Sequence, residues 1–236
     1  MEEMRPTRTN EILYAHALEI LDDCNKRSIE IRFLGSVALL FLDPSKITWL
    51  NENRRPIADI DLIVSKTNVD SLEYYFTERG YINDRNIKML HGNKRRNFYS
   101  PENISIDVFI DNIYLCQEIK VSDRLHLNFP TITNSDLFLS KIQKQNLTDL
   151  DVFDIYYILN YNIDTDYIIN LALNNWRWWK TLQTNLPIVI NSNINITTKA
   201  LLIDILHSII KGRKSIKWKI RGFLGPGFQW YNVVEG

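Results

Sequence analysis

Asp59 and Asp61 interrupt an otherwise apolar run from Ile57 to Val64. On a strand, alternate side chains share a face, so the two carboxylates point one way while Ala58, Ile60 and Leu62 point the other. Carboxylates side by side repel each other and are costly to desolvate. A divalent cation relieves both problems, and all-oxygen donors suit Mg²⁺ or Mn²⁺. The same spacing recurs at Asp149/Asp151 and Asp164/Asp166, so an exposed strand face meeting solvent or lysines is the competing reading of the pair alone. Asp107 shifts the balance, because it interrupts a second apolar run, Ile104 to Ile110. With the two strands adjacent and these faces aligned, three carboxylates converge, enough to hold two metal ions and leave an oxygen free to take a proton.

Gly35-Ser36 lies between an extended segment and the start of a helical one. Free backbone amides and the positive end of a helix dipole favour an anion there, and glycine lets a phosphate approach the backbone. A plain turn with an N-cap serine explains the same two residues. Lys94, Arg95 and Arg96 read as a charged hairpin tip, either solvated or meeting a triphosphate or RNA. A denser basic run, Lys211, Arg213, Lys214, Lys217, Lys219 and Arg221 around Trp218, suits backbone contacts plus base stacking or a solvated surface segment. Trp176, Trp178 and Trp179 read as helical core or a partner face. His16, His91, His126 and His207 show no ligand spacing, and the chain has no GxxxxGK[ST], GxGxxG or GxSxG, so P-loop, dinucleotide-binding and nucleophile-elbow chemistries lose support.

The elements that must position these residues follow from periodicity. Thr9 and Asn10 start a helix with Ile12, Leu13, Ala17, Ile20 and Leu21 at helical spacing, ending near Cys24. A strand over Ile29–Leu34, a turn at Gly35-Ser36 and a helix over Val37–Leu42 come next. Asp43 to Pro56 reads as a long connection, Ile57 to Val64 as a strand, and Val69 to Arg79 as a helix closed by Gly80. Asn86–His91 and Asn97–Ser100 flank Gly92-Asn-Lys-Arg-Arg96 as a hairpin would, and Ile104–Ile110 is a further strand. Beyond Asn134 the pattern is helical: Ser135–Gln145, Asp149–Asn160, Asp166–Leu182 and Thr197–Lys211. An α/β or α+β domain with one mixed sheet and flanking helices is therefore expected over residues 1–120, followed by a helical domain over 121–236, the boundary falling between Leu115 and Thr133.

The chain has 236 residues, of which 45% are hydrophobic, and 28 basic residues against 28 acidic ones. That is ordinary globular composition, which excludes disorder and any global electrostatic grip on nucleic acid. Cys24 and Cys116 are far apart and outside any CxxC spacing, so neither a disulfide framework nor a cysteine zinc site is expected and a reducing cytoplasm fits. The amino terminus lacks a signal-peptide stretch and no run approaches membrane-span length, so no membrane partner is expected.

Three segments together carry a resemblance: Leu34-Gly-Ser-Val-Ala-Leu-Leu-Phe41, Arg55-Pro-Ile-Ala-Asp-Ile-Asp-Leu-Ile-Val64 and Ile104-Ser-Ile-Asp-Val-Phe109. They resemble the signature of the DNA polymerase β-type nucleotidyltransferase superfamily, a Gly-Ser turn, a strand with two alternating aspartates and a third aspartate on a later strand. The resemblance implies a nucleotidyltransferase-like mixed sheet and Mg²⁺- or Mn²⁺-dependent transfer of a nucleotide from an NTP. It implies that Gly35 and Ser36 hold the β- and γ-phosphates, that Asp59 and Asp61 bind the metal, and that Asp107 binds the catalytic metal and orients or deprotonates the acceptor hydroxyl. Arg55 stands at a position often basic in these enzymes. The stretch from Gly35-Ser36 to Asp59 is longer than the superfamily usually shows, and Ile57 replaces its usual Ser or Thr.

Asp136-Leu-Phe-Leu-Ser-Lys141 and Asp149-Leu-Asp-Val-Phe-Asp-Ile-Tyr-Tyr-Ile-Leu159 are similar to elements of abortive-infection-type nucleotidyltransferase toxins. That likeness implies triphosphate contact by Lys141 and completion of the site by Asp151, with Asp154 behind; an ion-paired helix hairpin is the alternative. The expected function is metal-dependent nucleotidyl transfer to an acceptor hydroxyl on tRNA, a protein or a small molecule, with an antitoxin-like partner. The alternative is a catalytically inactive binding or regulatory module of the same fold.

Overall fold

The computed structural model describes residues 10–52, 57–225 and 229–232. The chain divides into two compact units, one running to Ile113 and including Lys120–Ile132, the other made of Tyr114–Ile119 and the chain from Thr133 onward.

The first unit opens with α1 (Asn10–Lys26), β1 (Ile31–Leu34), α2 (Gly35–Leu42) and α3 (Lys46–Glu52), followed by β2 (Asp59–Val64) and α4 (Val69–Glu78). It continues through β3 (Ile82–Asn83), α5 (Arg85–His91), β4 (Arg95–Tyr99) and β5 (Ser105–Ile110). The five strands form one mixed sheet in the order β1-β2-β5-β4-β3. β2 and β5 are parallel, and every other pairing is antiparallel. This is the expected mixed α/β architecture.

One face of the sheet is apolar. Ile31, Phe33, Ile60, Leu62, Val64, Phe98, Ile106 and Val108 are buried there with Leu13, Ala17 and Ile20 of α1 and Leu72, Tyr75 and Phe76 of α4. Phe98 meets Phe76 at 4.7 Å and Phe33 stacks on Phe41 of α2 at 4.6 Å between ring centroids. Each buried Ile, Leu, Val or Phe among them contributes about 1.5–3 kcal/mol, which locks the strand register and sends Asp59, Asp61 and Asp107 to the other face. The exposed edge of β1 is covered by the segment before Thr133: Phe33 N–H donates to Pro130 O at 3.0 Å and Ile132 N–H donates to Phe33 O at 3.1 Å.

Three local expectations are corrected. Asn86–His91 is not a hairpin strand but lies in α5, whose start is capped by Asp84 Oδ1 accepting from the Asn86 and Ile87 amides; β4 pairs instead with the short β3. Lys94–Arg96 is therefore not a hairpin tip, since Arg95 and Arg96 begin β4. The stretch Asp43–Pro56 contains α3, held by the single buried side chain of Leu50.

A two-stranded ribbon of β6 (Asn112–Tyr114) and β7 (Glu118–Lys120) follows β5. The second unit then carries α6 (Asn134–Ile142), α7 (Asp149–Ile158), α8 (Thr165–Asn174), α9 (Trp176–Ile190), α10 (Ile196–Lys211) and α11 (Ile216–Leu224). The expected single helix Asp166–Leu182 is two, because Asn175 adopts an extended conformation and its side chain caps the Arg177 amide. Leu137, Phe138, Ile155, Ile158, Ile168, Trp178, Leu182, Leu186, Leu202 and Ile205 form this unit's core. The tryptophans belong to that core: Trp176 and Trp178 are buried, and Trp179 donates from Nε1 to Ile209 O at 3.0 Å. Among the described residues Cys24 and Cys116 are free and buried, and no helix is long and apolar enough to cross a membrane.

Candidate active site

In the parallel β2–β5 pairing, Asp61 stands directly opposite Asp107 and Asp59 opposite Ser105. Residues in register share a face, so all three aspartates project from the same side of the sheet. Asp59 and Asp61 are half-buried and Asp107 is buried.

Gly35 joins them through β1, where Leu34 is the register partner of Asp61. Gly35 sits at φ +68°, and a Cβ built on it would lie 1.8 Å from Asp61 Oδ2. Both facts demand glycine: the backbone is left-handed, and the Asp61 carboxylate occupies the space a side chain needs. The long stretch between the turn and the aspartates thus does not separate them. α2 begins at Gly35 with Ser36 second, and its N-cap residue, Leu34, makes no side-chain cap bond. The Asp61 carboxylate accordingly lies at the positive end of α2.

A residue that the sequence offers only as one of three in a basic run completes the cluster. Arg95, on the face shared by Asp107, donates from Nε to Asp107 Oδ1 at 2.6 Å and from Nη2 to Oδ2 at 2.5 Å. Burial works against the Arg95 charge, but the bonds to Asp107 and the fields of Asp61 and Asp59 outweigh it and hold its pKa above the ordinary value. One guanidinium therefore senses all three carboxylates. Burial pushes the Asp107 carboxyl up, the charge of Asp59 adds to that, and Arg95 only partly offsets them. Arg96, one residue on, points to the opposite side and pairs with Glu73.

Asn97 is the register partner of Asp107 on β4. It is buried, donates from Nδ2 to Ser105 Oγ at 3.2 Å, and leaves its Oδ1 with no hydrogen-bond partner. A buried acceptor without a donor is costly in a finished protein interior. Together with the carboxylates it gives the face an excess of oxygen acceptors, the donor chemistry of a hard divalent cation. Among the described residues, however, no group of three or more Asp, Glu, His or Cys side chains is arranged to hold a metal ion. The donor types and their shared face suit Mg²⁺ or Mn²⁺, and each Asp107 oxygen keeps a lone pair beside its bond to Arg95.

The remaining expected site residues lie elsewhere. Arg55 lies outside the described residues. Lys141 and Asp151 belong to the second unit and are not paired with each other. Lys141 Nζ is 2.9 Å from Asp154 Oδ2, with side-chain exposures of 9% and 0%. Asp151 closes a capping box with Thr148 at the start of α7 and accepts from Lys144 Nζ at 2.5 Å. Burial raises the Asp151 carboxyl, but Lys144 and the two Thr148 hydrogen bonds prevail and hold it below the usual carboxylate range. Asp136 Oδ1 accepts from Tyr167 OH at 3.0 Å and its Oδ2 from Thr133 Oγ1 at 2.6 Å.

No protein-family model matches the chain. No curated protein matches it either. Among solved structures it is similar to an antigenic nucleotidyltransferase-like protein from Paracoccidioides brasiliensis, with TM-score 0.43 and 14% identity, covering 88% of this chain and 96% of that one.

Proposed function

We propose that the chain is a metal-dependent nucleotidyltransferase that moves a nucleoside monophosphate from an NTP to an acceptor hydroxyl and releases pyrophosphate. The observation that carries this reading is the parallel register setting Asp61 opposite Asp107, with the Asp61 carboxylate against the left-handed Gly35 turn. Asp59, Asp61 and Asp107 would hold Mg²⁺ or Mn²⁺, which when bound supplies neutralisation of the triphosphate charge. Gly35 and Ser36, at the start of α2, would offer backbone amides to the β- and γ-phosphates. In the reaction the acceptor oxygen bonds to the α-phosphorus as the bond to the pyrophosphate oxygen breaks, and the hydroxyl proton passes to the Asp107 carboxylate.

We read the chain further as of the abortive-infection type, on the Asp136–Lys141 and Asp149–Leu159 segments, with an antitoxin-like partner. The exposed basic residues Lys211, Arg213, Lys217 and Lys219 suit an RNA or acidic protein acceptor.

A second reading, a binding module of the same fold without catalysis, is favoured by one observation: both Asp107 oxygens are engaged by Arg95. Incubation with each labelled NTP, Mg²⁺, total tRNA and cell lysate separates the two. Wild type is expected to transfer label to one class of acceptor and Asp61→Asn is not. Label that persists in Asp61→Asn refutes the metal-site assignment, and absence of label with every NTP favours the binding module.

A further inference from the structure

We propose that the outward face of α11 is a membrane-association site, a preformed amphipathic helix that lies flat on an anionic lipid surface with its apolar residues in the headgroup layer. The inference is independent of the nucleotidyltransferase reading. It concerns contact with a surface and no crossing, since α11 has 9 residues and no described helix is long and apolar enough to span a membrane.

Successive residues of a helix turn by about 100°, so Ile216, Ile220, Phe223 and Leu224 fall within one arc of about 100°, bordered by Lys217 on one side and Lys219 on the other. Trp218 and Gly222 fall opposite, and that is the side that packs. Trp218 stands edge-on to Trp179 of α9 with 5.1 Å between ring centroids. A Cβ on Gly222 would lie 2.9 Å from Trp176 Cδ1, so glycine lets the helix sit close. Ser215 caps it, accepting from the Trp218 amide at 3.2 Å. The apolar arc is left outward: Ile216 is 77% exposed, Ile220 65%, Phe223 92% and Leu224 52%. Lys217 and Lys219 are exposed as well.

Charge identifies what this face suits. Between Asp204 and Glu235 the sequence has six basic residues and no acidic one. The matching surface is anionic and has an apolar layer directly beneath its charge, and an anionic bilayer has both in that order. RNA meets the lysines but leaves the arc in water. A stable protein partner engages about 20–30 residues a side, of which one arc of four side chains is a fraction, and it must supply a groove shaped to this ridge. A lipid surface needs no matching shape. Because the helix is already fixed to α9, binding carries no folding cost.

The test uses the full chain and sedimentation with vesicles of phosphatidylcholine alone or with about a third phosphatidylglycerol. Wild type is expected to bind the anionic vesicles at least about tenfold more tightly than the neutral ones and to be released as salt rises. Ile220→Ser/Phe223→Ser is expected to bind them about tenfold more weakly, and Lys217→Gln/Lys219→Gln about tenfold more weakly as well. All four positions are exposed, so circular dichroism and urea unfolding should match wild type, and the loss then reports binding alone. The serine pair separates a lipid surface from a polyanion, because bound RNA senses the lysines and not the arc. Wild type that stays in solution with both vesicles overturns the proposal, as does a serine variant that sediments like wild type. A dimer in analytical ultracentrifugation that Phe223→Ser dissociates would assign the face to a second copy of the chain and overturn it too. Should a double variant fail to fold, the single Phe223→Ser decides, by losing vesicle affinity or keeping it.

Discussion

Replacing Gly35 by alanine probes the contact that ties the turn to the aspartates. Two separable costs follow from the structure. At φ +68° an alanine adopts a left-handed conformation at about 1–2 kcal/mol. Its Cβ would also lie 1.8 Å from Asp61 Oδ2, 2.7 Å from Cγ and 3.0 Å from Cβ, so the carboxylate must turn away and the strand or turn must yield, an overpacking cost of about 1–3 kcal/mol. Truncating Asp61 to alanine removes the first two contacts and leaves only the Cβ at 3.0 Å. Gly35→Ala is therefore expected to cost about 2–5 kcal/mol in the wild-type background and about 1–2 kcal/mol in Asp61→Ala, a coupling of about 1–3 kcal/mol. Urea unfolding of the wild type, the two single variants and the double variant measures it. Mn²⁺ titration of Gly35→Ala should show lost affinity, since the Asp61 carboxylate is displaced. Costs that add within about 0.5 kcal/mol, with Mn²⁺ binding intact, would refute the claim that Gly35 and Asp61 share one site.

The second unit offers two further tests. Lys141→Met leaves Asp154 buried without its cation and is expected to destabilise by about 3–5 kcal/mol in urea unfolding, with Lys141→Met/Asp154→Leu recovering more than half; near-neutral single variants would contradict a stabilising buried pair. Asp151→Asn is expected to cost about 0.5–1 kcal/mol at pH 7 from the helix-end and Lys144 interactions. Because the folded Asp151 pKa is below the ordinary 3.8, its contribution is fully present above that value and is lost as pH falls through the lower folded one. Wild type and Asp151→Asn should accordingly converge in stability in strong acid, and a difference that persists there would show the loss not to be electrostatic.

Much of the site was legible because burial imposes a period. The apolar runs around Asp59, Asp61 and Asp107 alternate as two-sided strands must, and Gly35 marks a turn that no other residue fits. Arg95 was hidden by its neighbours. Lys94, Arg95 and Arg96 read as one charged turn, solvated or meeting an anion, whereas strand alternation sends Arg95 to Asp107 and Arg96 to Glu73. The legible signal was the extended Asn-Phe-Tyr continuation, which makes the two arginines part of a strand. The segment of α5 reads as a strand because it buries no residue and so shows no helical stripe; its one cue is Asp84 as cap. α3 was hidden for a similar reason, with only Leu50 buried. Partner choice within the acidic segments could not be read from spacing, since Lys141 and Lys144 both lie near Asp151 and Asp154 in sequence and packing assigns each to one.

The most direct measurement is a crystal structure of the chain with Mn²⁺ and a non-hydrolysable NTP, located by manganese anomalous scattering. A manganese peak bonded to oxygens of Asp61 and Asp107, with the triphosphate beside Gly35, is the predicted result. Nucleotide bound away from the sheet face, or no manganese at Asp61 and Asp107, would contradict it.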